Sequence, residues 1–171
     1  MQKILVFLVV IFVIAAIVIF AVFALKKKKG LNLPLQGQVL YTQSIINNLK
    51  LPLTEYAQKD PNNQYPSASS EQGGNGTANL VMMLSTMNFF QFEDSNLTDD
   101  APKQLVDAWG NPMRYQPWKG LTPAKNAHNV DSYDLWSAGP DGIFGNSDDI
   151  NNWATPGTQT QNNAGMQTPN N

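Results

Sequence analysis

The chain has 171 residues, room for one domain, with 42% hydrophobic residues, thirteen acidic residues against eleven basic ones, one histidine and no cysteine. Without cysteine there are no disulfides and no thiol chemistry, and a single histidine argues against a zinc site built from protein ligands. Five basic residues, Lys3 and Lys26 to Lys29, fall in the first 29 positions, so the remainder sets six basic against all thirteen acidic residues, near −7; such a surface repels phosphate backbones, argues against nucleic acid, and makes a divalent cation a natural partner.

Ile4 to Leu25 contain no charged or polar residue and no glycine or proline. At about 1.5 Å per residue this run spans roughly 30 Å of hydrocarbon and predicts one transmembrane helix. It exceeds the apolar stretch of a secretory signal, and no small-x-small cleavage site separates it from Lys26 to Lys29. The predicted organisation is an anchor with its basic flank over residues 1–29, a domain over 30–153 and a disordered tail over 154–171. The four lysines after the anchor, taken alone, predict a cytoplasmic domain.

Past a linker with Gly30, Pro34 and Gly37, the apolar residues Val39, Ile46 and Leu53 recur every seven positions, with Leu49 and Tyr56 on the same stripe. This predicts an amphipathic helix from Gln38 to about Lys59, broken near Leu51 by Pro52. The segment from Asp60 to Pro66 is dense in turn formers and ends it. A glycine-rich loop, Ser67 to Thr77, leads to a short helix over Leu80 to Met87, with Thr77 or Asn79 as its cap and its methionines in the core. Met113 to Gln116 and Ser132 to Ser137 read as two strands of a hairpin, the second alternating apolar and polar positions. The tail from Thr155 onward is almost devoid of apolar residues.

The chemistry concentrates in Ser137-Ala-Gly-Pro-Asp141-Gly-Ile-Phe-Gly-Asn146-Ser-Asp148-Asp149-Ile150. Three aspartates repel one another if gathered, and Gly139, Gly142 and Gly145 permit the bends that gather them. An all-oxygen set on an irregular loop suits calcium, although the spacing is not that of an EF-hand; a solvated acidic turn accounts for the residues equally well. His128 beside Asp131 is weak as a catalytic pair. Trp109, Trp118, Trp136 and Trp153 read as core, with a carbohydrate or partner surface as the lesser alternative. Arg114 is expected to pair with Asp107 across the turn. No motif argues for an enzyme or a small-molecule substrate.

Asp107-Ala-Trp-Gly-Asn-Pro-Met-Arg-Tyr115, then Tyr133-Asp-Leu-Trp-Ser-Ala-Gly-Pro-Asp-Gly142 and Asp148-Asp-Ile150, together resemble the C-terminal domain of major pseudopilins of type II secretion systems. Leu40 to Pro66 is similar to that family's stem helix and following turn. The resemblance implies an α+β, pilin-like domain with a small antiparallel sheet, and a loop that holds calcium through the carboxylates of Asp141, Asp148 and Asp149 and the carbonyls of Ala138 and Asn146. It implies a structural subunit or accessory component of a secretion or pilus-type machine, associating with itself or with other pseudopilins, single-pass in the inner membrane with its domain on the extracytoplasmic side. Members also carry a basic leader ending in glycine and a glutamate early in the apolar helix. Here the first glycine is Gly30 and the first glutamate Glu55. That departure motivates the alternative expectation, a non-polymerising, membrane-tethered, calcium-binding interaction module.

Overall fold

The apolar stripe beginning at Val39 folds into two consecutive helices, α1 (Leu35–Asn48) and α2 (Lys50–Lys59). The computed structural model describes residues 30–154. The expected transmembrane run and the tail beyond Ala154 lie outside the described residues, and among those described no helix is long and apolar enough to cross a membrane. The break falls at Leu49 rather than near Leu51. A proline ring conflicts with the carbonyl four residues earlier, here that of Asn48, so the disturbance lies upstream of Pro52. Leu49 itself is fully buried. Its N–H still donates to the Ile45 carbonyl at 3.3 Å and its carbonyl accepts from Leu53 at 3.1 Å, so the stripe continues almost straight through the break.

Asp60 ends α2 by turning its carboxylate onto the next turn, where Oδ1 accepts from the backbone N–H of Asn62 at 2.9 Å and of Gln64 at 3.1 Å. The glycine-rich segment holds a single tight turn, α3 (Glu71–Gly74), in which Gln72 and Gly73 take left-handed backbone, closed beneath by a bridge between Ser69 and Gly76. The short helix expected over Leu80 to Met87 spans Ala78–Thr86 and is α4. Neither expected residue caps it with its side chain. Thr77 Oγ1 instead accepts the N–H of Leu105 at 2.8 Å, and the first N–H of the helix, that of Ala78, goes to Ser69 Oγ at 3.1 Å. Ser69 therefore acts as an N-terminal cap from nine residues away, and Ser69→Ala is expected to cost about 1 kcal/mol. Urea denaturation midpoints measure it; an unchanged midpoint would show that water replaces the hydroxyl at no cost.

The sheet has three antiparallel strands in the order β1 (Arg114–Pro117), β2 (Tyr133–Ser137) and β3 (Ile150–Asn151). The two strands expected from sequence are β1 and β2, with β1 one residue later than expected; β3, only two residues long, carries no alternation to read. Tyr115 pairs with Leu135 and Arg114 with Trp136, so side chains alternate between an inner and an outer face. Tyr115, Tyr133 and Leu135 face inward, where α1 packs against β2 and β3, and α4 lies on α2. The core is one continuous cluster joining Ile46, Leu49 and Leu53 to Leu80, Leu84, Leu105, Met113 and Ile150.

Buried polar atoms fasten this core at long range. Thr42 Oγ1 on α1 accepts the N–H of Ala108 at 3.1 Å, and the Tyr115 hydroxyl donates to the Pro66 carbonyl at 2.9 Å. Burial pushes the phenols of Tyr115 and Tyr133 above their ordinary range, so both stay neutral and the Tyr115 hydroxyl keeps its donated proton.

Candidate functional site

All five residues expected at the cation site lie in the loop joining β2 to β3. Its entry is tightly packed: Ala138 is fully buried, and Gly139 has φ +65° with the Asp148 carbonyl oxygen only 2.3 Å from where a β-carbon would stand. No residue but glycine fits there. This contact lays the end of the loop across its beginning, and it buries Asp148 to 2% exposure beside two solvent-facing neighbours, Asp141 and Asn146.

The carboxylates have different surroundings. Asp141 Oδ1 accepts from the N–H of Ile143 at 2.7 Å and Oδ2 from the Asn146 amide at 2.8 Å. Asn146 Oδ1 in turn accepts from the N–H of Asp148 at 3.2 Å, and Asp148 Oδ2 accepts from the N–H of Asp141 at 3.4 Å. Asp149 Oδ2 accepts from the N–H of Gly145 at 2.8 Å, while Oδ1 is buried with no hydrogen-bond partner. Burial raises the pKa of Asp149 above its ordinary value, and the charges of Asp148 and Asp141 raise it further against the opposing pull of backbone N–H groups. Among the described residues no three acidic or histidine side chains converge as a ready-made metal cage. The loop brings the five residues into one turn of chain, with its own N–H and amide groups on the carboxylate of Asp141.

Beneath the loop lies a polar hub that sequence reasoning missed. Asp107 is buried; its Oδ1 accepts from the N–H groups of Trp109 at 3.0 Å and Asn111 at 2.8 Å, and its Oδ2 accepts from the Ser137 hydroxyl at 2.6 Å. Asn111 reaches on to the Gly139 carbonyl at 3.3 Å, tying the turn before β1 to the start of the acidic loop. Burial raises the pKa of Asp107, although these hydrogen bonds each favour its charged form. The expected pairing of Arg114 with Asp107 is therefore replaced. The two residues sit on opposite sides of the sheet, and the Arg114 guanidinium lies 3.9 Å over the ring of Phe144 in the acidic loop.

The tryptophans correct another expectation, for none of the four is fully buried. Trp109 packs against the core from its edge. Trp118, Trp136 and Trp153 line a groove of about 410 Å³ on the outer face of the sheet, between the hairpin loop and the acidic loop. Trp136 pairs with Arg114 in the β1–β2 register, which places both on the side away from the helices. One wall is fixed by Asp134, whose carboxylate accepts from Trp118 Nε1 at 2.7 Å and from the N–H groups of His128 and Asn129 at 3.0 Å each. The His128 ring lies flat on Trp153 at 4.0 Å, and among the described residues no hydrogen bond joins it to Asp131.

Known proteins add nothing to this geometry. Compared with protein-family profiles, characterised proteins and solved structures, the chain matches none.

Proposed function

We propose that this chain is a membrane-anchored, pilin-like structural subunit or accessory component of a type II secretion or pilus-type machine, stabilised by calcium. The observation that carries the reading is the β2–β3 loop, with one buried and unpartnered carboxylate oxygen, Asp149 Oδ1, next to the buried Asp148. A buried anionic oxygen without a partner is costly, and a hard cation is the partner such a donor set suits. The carboxylates of Asp141, Asp148 and Asp149 and the carbonyls of Ala138 and Asn146 would hold it. Bound there, calcium supplies positive charge that offsets the repulsion of three aspartates and pins β3 against β2. Support for the subunit reading comes from the helix pair laid on a small antiparallel sheet, in the chain order that the pseudopilin resemblance implies. The domain is placed on the extracytoplasmic side, where calcium reaches the concentrations that weak sites need.

A chain without cysteine makes this testable with one introduced thiol. Leu40 is 55% exposed on α1, so Leu40→Cys is expected to crosslink copies to one another in membranes and to react with a membrane-impermeant maleimide added from the extracytoplasmic side. A monodisperse monomer at every calcium concentration would instead favour the tethered, non-polymerising module, the reading that the absence of glutamate before Glu55 supports. Labelling only from the cytoplasm would overturn the placement of the domain.

A further inference from the structure

The groove on the outer sheet face borders the acidic loop at Phe144, Gly145 and Asp149, and the rest of its lining is used by neither reading above. Its lining combines Trp118, Trp136 and Trp153 with Arg114, the amide residues Asn75 and Asn126, and the carboxylate residues Asp134 and Asp149. Among the described residues the guanidinium has no hydrogen-bond or ion-pair partner, and its Nε is buried without one. Asp134, by contrast, is filled by Trp118, His128 and Asn129 and serves to fix the wall. At about 410 Å³ the groove falls within the roughly 300–1,000 Å³ range of small-ligand sites.

We propose that this groove binds a glycan, seating one or two pyranose rings against the tryptophans. A pyranose has an apolar C–H face that packs on aromatic rings and a rim of hydroxyls that each donate and accept hydrogen bonds. The groove offers the complement of both: indole surfaces beside a guanidinium that only donates and amides that do both. Other ligand classes fit less well. A cationic ligand would meet the guanidinium lying over Phe144, while of the two carboxylates in the lining Asp134 is filled by three donors and Asp149 Oδ2 by the N–H of Gly145; a polyphosphate would meet one arginine on a domain of net charge near −7. A purely apolar ligand would leave the guanidinium and both amides unsatisfied.

The test uses the full chain, labelled with nitrogen-15, in unlabelled phosphatidylglycerol nanodiscs. Its four tryptophans give separate indole N–H signals, and Trp109, outside the groove, is the internal control. Chitohexaose, cellohexaose and hexagalacturonate are each titrated to millimolar concentrations, the acidic probe separating a carboxylate partner for Arg114 from neutral hydroxyls. At least one is expected to shift the signals of Trp118, Trp136 and Trp153 saturably while Trp109 stays still. Trp136→Ala and Asn126→Ala are each expected to weaken that binding by about tenfold or more with the Trp109 signal and the thermal midpoint unchanged. If none of the three sugars shifts the groove signals, if Trp109 moves with them, or if binding survives both substitutions, the proposal is wrong. A response to decaproline alone would make the groove a peptide site and equally overturn it.

Discussion

Calcium is expected to raise the thermal midpoint of the chain from Leu31 onward by several degrees over its value in excess chelator, and to do nothing for a variant carrying Asp148→Ala and Asp149→Ala. A cation at 100 times its dissociation constant stabilises the folded state by about 2.7 kcal/mol, which for a domain of this size is a shift of that order. In chelator the variant is expected to lose little. Asp149 is held above its ordinary pKa by burial and by its acidic neighbours, so removing it relieves repulsion against the loss of its backbone N–H partners, and Asp148 gives up only a 3.4 Å hydrogen bond from the N–H of Asp141. The two chains therefore separate only when calcium is added. Equal midpoints for both at every calcium concentration would reduce the loop to an acidic turn, and the proposed function would lose the observation on which it rests.

Asp107→Ala is expected to destabilise the domain by about 3 kcal/mol, because it strands the N–H groups of Trp109 and Asn111 and the Ser137 hydroxyl at once, each buried donor costing roughly 1–3 kcal/mol when unpaired. Part of that loss is offset by removing a carboxylate that burial disfavours. Asp107→Asn keeps the Oδ1 acceptor for both N–H groups and is expected to cost much less. It also isolates the charge. The folded pKa of Asp107 is raised, so between its ordinary value of 3.8 and the raised one the folded state binds more protons than the unfolded. The Asp107 contribution is thus fully present at acid pH and is lost as pH rises through that window. Relative to the wild type, Asp107→Asn is expected to be better tolerated at pH 7 than at pH 4, read from midpoints at the two values. A difference of the opposite sign would mean that hydrogen bonding outweighs burial at this carboxylate.

Much of this fold was legible because periodicity is local. The seven-residue stripe from Val39 to Leu53 requires a helix, Pro52 requires a break in it, and the alternation in Ser132 to Ser137 requires a strand. The same alternation carried the signal for the groove. Leu135 and Trp136 are adjacent, so if Leu135 faces the core Trp136 faces away from it, and reading the tryptophans as core set residue type above strand geometry. The cap of α4 was less accessible. Ser69 and Ala78 are nine residues apart, and only the Ser69–Gly76 bridge brings them together. The hub at Asp107 depends on Ser137, thirty positions along, which no spacing rule connects to it.

By itself the sequence determined the apolar run ahead of the lysines, the acidic charge of the chain beyond them, the helix stripe, the hairpin strands and the loop that carries three aspartates. Each arises from the order of neighbouring residues, since hydrophobic period, turn chemistry and charge act over a few positions. Only the tertiary structure decided that Asp149 turns one oxygen inward without a partner, that Arg114 leaves Asp107 for the ring of Phe144, and that three tryptophans meet on the outer sheet face. Those outcomes depend on which distant segments pack together, and burial, desolvation and hydrogen-bond partners are properties of that packing rather than of the chain's local order.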